Sequence, residues 1–119
     1  MRYAIIALAC LLALAAKPVP SGSLEGPTGD IRYGGTVTFQ VEQDARSGAI
    51  LQVLAIKDGS VVYGDNVPDP HGAVSFTLGS PQNGTSVWDG GPASCRADLY
   101  VVSPNGDILF LDAVTFEVG

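Results

Sequence analysis

The sequence predicts an all-β domain, an antiparallel immunoglobulin-like β-sandwich of six to seven strands, with an up-and-down barrel as the alternative. Apolar and polar residues alternate with a period of two in several short segments, as they do in half-buried strands. Turn residues separate these segments, since the 119 residues include 15 glycines and 8 prolines. No segment after residue 30 shows the period of about 3.6 residues that marks an amphipathic helix.

The first half of the domain carries three strand signals. Apolar and polar residues alternate over 36–42, which predicts a strand with one buried face. An almost continuous apolar run follows over 49–57 and leads through Asp58-Gly59 into a second apolar run over 61–63. Because Asp-Gly tolerates the positive φ angles of a two-residue turn, these two runs are predicted to form a β-hairpin.

The second half carries three more strand signals. Residues 73–78 alternate again between apolar and polar side chains, and 94–103 form the next predicted strand. Pro-Asn-Gly-Asp over 104–107 predicts a turn, because each of these residue types favours turn conformations. Residues 108–118 are predicted to form the last strand and to close the domain.

The N-terminus has the layout of a secretory signal peptide over residues 1–15. Arg2 precedes an apolar run over 4–16, and Ala13-Leu14-Ala15 matches the small-residue pattern of a cleavage site. The alternative is a transmembrane anchor, but the run of about 13 residues is short of the roughly 20 that a membrane-spanning helix needs. The protein is therefore expected to be secreted, without stable membrane insertion once the signal peptide is removed.

A leader and one domain are predicted after the cleavage site. Residues 16–29 are rich in proline, glycine and serine and contain almost nothing to bury, so they are predicted to be a flexible leader. Residues 30–119 are then predicted to form the sandwich domain. A chain of this length buries enough surface to fold without disulfides.

The charge of the chain argues against two classes of partner. The formal net charge is −6, with only six basic residues. A nucleic-acid partner requires a basic stripe or patch, and none exists here. An anionic membrane surface is disfavoured for the same reason. The acidic residues are spread along the chain, which indicates a role in solubility rather than a binding tail.

The sequence shows no catalytic motif and no cofactor site, so the protein is not expected to be an enzyme. It has no nucleophile motif, phosphate-binding loop or metal-ligand spacing, and its one histidine, His71, is interpreted as a solvated loop residue. Asp65, Asn66 and Asp69 share one loop and form a weak calcium candidate, because closely spaced oxygen ligands suit calcium. The alternative is that they are ordinary turn formers.

A family resemblance is carried mainly by residues 88–100, which read W-D-G-G-P-A-S-C-R-A-D-L-Y. This segment resembles the W-x-G-G-x-A-x-C-x-A-x-L-Y motif of small secreted immunoglobulin-like proteins of actinobacteria and their phages. Residues 33–39, 58–63 and 114–118 are similar to the opening strand, the first hairpin and the last strand of that family. The resemblance implies a fold and a secreted or virion-associated location. It implies no activity, because the function of these proteins is mostly unknown.

The resemblance also bears on Cys95, whose only companion, Cys10, falls in the predicted signal peptide. In the related proteins a cysteine four residues ahead of the hairpin glycine bridges to the motif cysteine, and the matching residue here is Ala55. The resemblance implies that Cys95 is half of a lost disulfide and lies buried as a small apolar side chain. The alternative is an exposed thiol that pairs with another molecule.

An outward-facing apolar patch follows if Ala55 and Cys95 both point inward on neighbouring strands. Period-two alternation then turns Leu54 and Ile56, and likewise Tyr100 and Val102, toward the outer face of the sheet. These four residues are predicted to form one interaction face, because contiguous exposed apolar patches usually mark binding sites. The alternative is that the leader or a loop covers them.

Two functions are compatible with these features. The first is a secreted, non-catalytic binding or structural module that contacts a protein, or a component of a cell surface or virion, through the sheet face. The alternative is a carrier of a small ligand or carbohydrate, for which Trp88 is the candidate stacking residue. Trp88 is otherwise interpreted as a core residue.

Overall fold

The computed structural model describes residues 19–45 and 48–119, which form eight strands. The predicted signal peptide, residues 1–15, lies outside the described residues. The strands are β1 (Gly22–Gly29), β2 (Thr36–Gln43), β3 (Ile50–Lys57), β4 (Ser60–Pro68), β5 (Gly72–Thr77), β6 (Thr85–Ser86), β7 (Ala93–Val102) and β8 (Ile108–Val118).

Two antiparallel sheets pack face to face, which confirms the predicted all-β sandwich. The three-stranded sheet has the order β1-β2-β5, and the five-stranded sheet has the order β6-β4-β3-β7-β8. Alternate residues of the central strands point into the space between the sheets. Phe39 from β2 and Leu51 and Val53 from β3 are fully buried there. The described residues contain no helix.

The predicted hairpin at Asp58-Gly59 is confirmed. Both residues have positive φ angles, 52° and 78°, which are the angles that a two-residue turn of the Asp-Gly type requires. The turn joins β3 to β4 in an antiparallel ladder that begins at Lys57 and Ser60.

The strand predicted over 61–63 is longer than expected, because β4 continues to Pro68. The prediction that Asp65, Asn66 and Asp69 share one loop is therefore wrong, since Asp65 and Asn66 lie on this strand and pair with β3. The short β6 is an addition.

The flexible-leader prediction is wrong for residues 22–29, which form β1. This strand pairs with β2 on both sides of an irregularity between Glu25 and Thr28, and Leu24 inserts its side chain into the core with 5% exposure. The backbone N–H of Leu24 also donates a hydrogen bond to the Asp112 carboxylate on β8, at 2.7 Å. The glycine and proline content of the segment is typical of a linker. The strand is nevertheless stable because Leu24, its one buried residue, contacts residues that are distant in the sequence. The folded domain therefore includes Gly22 onward.

The pairing of β3 with β7 places Ala55 directly opposite Cys95. Both side chains face the core, with 0% and 3% exposure, and Cys95 forms no disulfide within the described residues. Directly paired residues of antiparallel strands have Cα atoms about 4.5–5.5 Å apart. That spacing lies inside the range of about 4.4–6.8 Å in which disulfides form. The geometry therefore meets the requirement of the lost-disulfide hypothesis.

Replacing Ala55 by cysteine should produce a disulfide with Cys95 when the protein is exported. The closed loop would span about 40 residues, so the chain-entropy model predicts a stabilisation of about 4 kcal/mol less any strain. Intact mass after alkylation, with and without reductant, measures the bond, and thermal unfolding measures the stabilisation. Val53→Cys is the matched control, because Val53 pairs with Ala97 and not with Cys95. Two free thiols in folded Ala55→Cys would contradict the register.

Candidate functional site

The outer faces of the two sheets differ in chemistry. On the three-stranded sheet, hydroxyl side chains of β2 and β5 pair across the strands: Thr38 with Ser75 at 2.8 Å, and Thr36 with Thr77 at 3.4 Å. This ladder satisfies its own hydrogen bonds and leaves little apolar surface. The outer face of the five-stranded sheet carries aliphatic and aromatic side chains instead, so it is the candidate interaction surface.

The four residues predicted as one interaction face all point outward, but they do not form a single patch. Ile50 pairs with Tyr100, whereas Leu54 pairs with Arg96. Because the strands are antiparallel, residue numbers rise along β7 as they fall along β3. Residues that follow Cys95 therefore lie beside residues that precede Ala55. Leu54 and Ile56 therefore lie toward one end of the sheet, whereas Tyr100 and Val102 lie at the other. Gln52 and Asp98 stand between the two pairs.

The Tyr100 end is enlarged by β8, which sequence reasoning missed. Phe110 pairs with Tyr100 and Ile108 with Val102, and the rings of Tyr100 and Phe110 have centroids 6.0 Å apart. Val102, Ile108 and Phe110 are 41%, 57% and 56% exposed. We call these four residues the apolar end. The turn predicted at 104–107 already implied this register, because a hairpin folds the residues on either side of its turn against each other.

The exposure of the apolar end has a simple geometric cause. The ladder between β3 and β7 stops at Ile50 and Tyr100, so Val102 has no partner on β3. β7 continues to Val102 and β8 begins at Ile108, and the hairpin they form extends beyond its neighbour. Residues in this extension lack the packing that adjacent strands give to the middle of the sheet.

An ion pair borders the apolar end. The Arg96 guanidinium donates a hydrogen bond from Nε to Asp98 Oδ1 at 2.6 Å, and the Asp98 side chain is only 7% exposed. The Arg96 guanidinium carbon also lies 5.9 Å from the centroid of the Phe110 ring, within reach of a cation–π contact. This charged pair separates the apolar end from Leu54 and Ile56.

The opposite end of the same face is less exposed. Leu54 and Ile56 are half-buried. Ile56 lines an open hollow of 330 Å³ together with Lys57, Asp58 and Glu117 among others. The mixed charges of this hollow and the limited exposure of its one large aliphatic residue make it a weaker candidate for a protein contact than the apolar end.

Trp88 is a core residue, which agrees with the second of its two interpretations. Its side chain is 4% exposed and lies between Tyr33 and Tyr63, with ring centroids 5.1 and 6.2 Å away. The indole Nε1–H donates to the carbonyl oxygen of Gly90 at 3.1 Å. Since the ring is enclosed by protein, it has no exposed face on which a sugar ring or another ligand could stack.

The calcium candidates serve as loop anchors. The Asp65 carboxylate is buried and accepts backbone N–H groups from Asn66, Gln82 and Asn83 at 2.9, 3.1 and 2.9 Å, which fixes the loop before β6. Asp69 instead contacts Gln43 and the exposed His71. Within residues 19–45 and 48–119, no group of three acidic, histidine or cysteine side chains is placed to hold a metal ion.

Cys95 and Tyr63 place two ionisable groups in the core beneath this face. Burial, with a smaller contribution from Glu117, raises the pKa of the Cys95 thiol to about 11, so the thiol is protonated and unreactive at neutral pH. Its 3% exposure excludes the exposed-thiol alternative in the folded domain. The Tyr63 hydroxyl is buried without a hydrogen-bond partner among the described residues, and burial raises its pKa as well.

Comparisons with known proteins identify no relative of this chain, so the candidate site is assigned from its geometry alone. We found no match to this chain among protein-family models, among curated proteins or among solved structures. In the part of the chain that the structure describes, we found no helix with the length and apolar character needed to cross a membrane.

Ile56→Glu should leave the fold intact and cost about 1 kcal/mol or less in the free energy of unfolding, because an outward strand position keeps a carboxylate in contact with water. Val53→Glu, the matched variant three residues earlier on the same strand, should cost several kcal/mol, because Val53 is fully buried. Urea unfolding followed by fluorescence measures both. Equal losses of stability for the two variants would contradict the assigned strand faces.

Tyr63→Phe should be neutral or stabilise the fold by about 1 kcal/mol, because it removes a buried hydroxyl without a partner and keeps the ring. Tyr63→Leu, which removes the ring contact with Trp88 as well, should be destabilising. Thermal unfolding at neutral pH compares the three proteins. A clear loss of stability in Tyr63→Phe would indicate that the hydroxyl has a partner, such as an ordered water.

Cys95 should make stability fall as pH rises above about 9. The unfolded thiol loses its proton near its ordinary pKa of 9.0, whereas the folded thiol keeps it until about 11. Between these values the folded state binds more protons, so the free energy of unfolding decreases by at most about 1.4 kcal/mol per pH unit. Urea unfolding between pH 8 and about 10 should show a shallower slope for Cys95→Ala than for the native chain. Identical slopes would contradict the raised pKa.

Proposed function

We propose that this chain is a secreted, non-catalytic binding module that contacts another protein through the apolar end of its five-stranded sheet. The observation that carries the proposal is the contiguous group formed by the exposed Val102, Ile108 and Phe110 around the half-buried Tyr100. Exposed apolar clusters with aromatic members are typical of protein interfaces. The outer face of the other sheet supports the choice of this surface, since its hydroxyl side chains pair with each other and leave little apolar area to cover.

A protein partner fits this surface better than a small ligand does. Small-molecule sites are concave and enclose most of their ligand. The apolar end is instead an exposed group of side chains where a hairpin extends beyond its neighbouring strand, and the one tryptophan that suits ligand stacking is enclosed in the core. The carrier alternative is therefore not part of the proposal.

Two further features support a non-catalytic role outside the cell. The buried thiol of Cys95 is protonated at neutral pH, and Asp65 is engaged in holding a loop, so neither is available as a catalytic group. The signal-peptide pattern of residues 1–15 and the resemblance of residues 88–100 to small secreted immunoglobulin-like proteins of actinobacteria and their phages support an extracellular or virion-associated location.

Site-specific photo-crosslinking tests the proposed contact. A photoreactive phenylalanine analogue at Phe110 should capture a protein from the surface or secreted fraction of the producing cells. The same analogue at Thr38, on the polar face of the other sheet, should capture little. Native protein added as competitor should reduce capture at position 110, and Phe110→Ser protein should compete poorly because it lacks the central aromatic ring.

Two results would contradict the proposed surface. The first is equal capture from positions 110 and 38. The second is equal competition by the native protein and by Phe110→Ser, which would place the contact elsewhere. Circular dichroism of each variant confirms that differences in capture do not arise from unfolding.

A further inference from the structure

β8 is an edge strand of unusual composition. It is the last strand of the five-stranded sheet, and among the described residues no strand pairs with its other side. Exposed edges in soluble proteins usually carry lysine, proline or another feature that prevents pairing with a further strand. β8 opens with Ile108, Leu109 and Phe110, which are 57%, 44% and 56% exposed, and none of these residues opposes pairing.

The hairpin register shows which backbone groups face the free edge. The Ser103 N–H donates to the Asp107 carbonyl oxygen at 2.8 Å, so these two residues form a hydrogen-bonded pair. Hydrogen-bonded and non-hydrogen-bonded pairs alternate along an antiparallel ladder. Ile108 therefore belongs to a non-hydrogen-bonded pair with Val102, and Phe110 to one with Tyr100. The N–H and C=O groups of Ile108 and Phe110 point away from β7, toward the free edge.

β1 limits the open part of this edge. The Leu24 N–H donates to the Asp112 carboxylate, and a Cβ added at Gly22 would lie 3.1 Å from a methyl carbon of Leu111, so β1 flanks β8 from about Leu111 onward. Among the described residues, no hydrogen bond joins β1 to residues 108–110. The free edge therefore offers two outward-pointing N–H and C=O sets, enough for a short extended segment rather than a long strand.

The charges around the edge are negative. The exposed Asp107 stands at its open end, whereas the Asp112 carboxylate at the other end already accepts the Leu24 N–H. Each basic side chain of the described residues is already in an ion pair: Arg32 with Asp30, Lys57 with Asp89 and Arg96 with Asp98. No cation of the described part of the chain is thus left to neutralise the edge, and a basic partner is favoured.

A second copy of this chain is a poorer occupant. An antiparallel pair of two copies must place edge-facing residues opposite each other, so Ile108 of one copy would pair with Phe110 of the other. This pair would hold the exposed Asp107 at each of its ends, with no free basic side chain of the described residues to neutralise it. Two copies of a chain with a net charge of −6 also repel each other over longer distances.

We propose that the free edge of β8 at Ile108–Phe110 binds an extended segment of a partner protein by strand addition. The segment has alternating apolar side chains that pack on Ile108 and Phe110, and a lysine or arginine that faces Asp107. This inference rests on the proposed function, because it names the kind of partner that the apolar end takes. Backbone hydrogen bonds provide affinity in this binding mode, and the alternate side chains provide selectivity.

A designed peptide and one pair of variants test the inference. The probe is acetyl-Lys-Val-Thr-Phe-Thr-Val-Lys-amide, and its control has glutamate in place of both lysines. Binding is measured as shifts of backbone amide signals in nitrogen-15 NMR spectra of the mature chain. Ile108→Pro removes an N–H that faces the free edge and leaves the bonds to β7 in place, as proline does on edge strands. Ile108→Ala removes a similar amount of side chain and keeps the N–H.

The basic peptide should shift the amide signals of Ile108 and Phe110, and the acidic control should bind about tenfold more weakly. Ile108→Pro should weaken binding about tenfold more than Ile108→Ala does. The dispersion of the spectra shows whether each variant is folded. If Ile108→Pro is not, Phe110→Pro and Phe110→Ala form the second pair.

Three results would overturn the inference in distinguishable ways. Equal weakening by the proline and alanine variants would show that the peptide contacts side chains only, so that the edge proposal fails and the proposed function stands. Binding of neither peptide, or binding that neither variant alters, would remove the strand-addition proposal, and capture at position 110 would then decide the proposed function separately. Concentration-dependent dimers in analytical ultracentrifugation that Ile108→Pro abolishes would identify a second copy as the occupant instead.

Discussion

The pairing of β3 with β7 is the constraint on which the rest of the domain depends. With Ala55 opposite Cys95, every second residue of both strands enters the core, and the residues between them form the outer face. A shift of one residue would exchange the two sets and expose the core side chains. The small volumes of Ala55 and Cys95 suit the position next to Tyr63 and Phe116, which occupy the same row on the neighbouring strands. The register of β3 and β7 thus determines both which residues form the core and which residues are available for the candidate site.

Local patterns in the sequence were enough to predict most of the fold. Alternation over 36–42 and 94–103 reports which face of a strand is buried, and Asp58-Gly59 reports a turn whose geometry depends on those two residues alone. β1 escaped prediction because its evidence is not local. Leu24 is its only buried apolar residue, and what holds the strand is its ladder with β2 and a hydrogen bond to Asp112, 88 residues away. A segment stabilised by distant partners resembles a linker when it is read alone.

For a related reason, the sequence predicted which way the candidate site residues point but not where they lie along the sheet. The outward orientation of Leu54, Ile56, Tyr100 and Val102 follows from alternation, but their positions along the sheet follow from antiparallel register. Combining the pair Ala55–Cys95 with that direction would have separated Leu54 from Tyr100. The same reasoning applied to the turn at 104–107 would have added Ile108 and Phe110. What no local pattern reveals is that β7 and β8 extend beyond β3, and this difference in strand length is what exposes the apolar end.

Stability and binding make opposite demands on this hairpin. In the middle of the sheet, β7 is flanked by β3 and β8, and its inward residues are fully buried at Ala97 and Leu99. Past Tyr100 the hairpin loses its β3 neighbour, so its outward apolar side chains contribute little to folding and cost solubility. The ion pair of Arg96 with Asp98 lies between the packed middle of the sheet and the exposed end of the hairpin. Asp98 is buried, whereas Arg96 is half-exposed. A chain selected for stability alone would place polar residues at Ile108 and Phe110, as it does on the threonine and serine ladder of the other sheet. The proposed partner would cover these side chains, which the edge of the sheet otherwise leaves in contact with water.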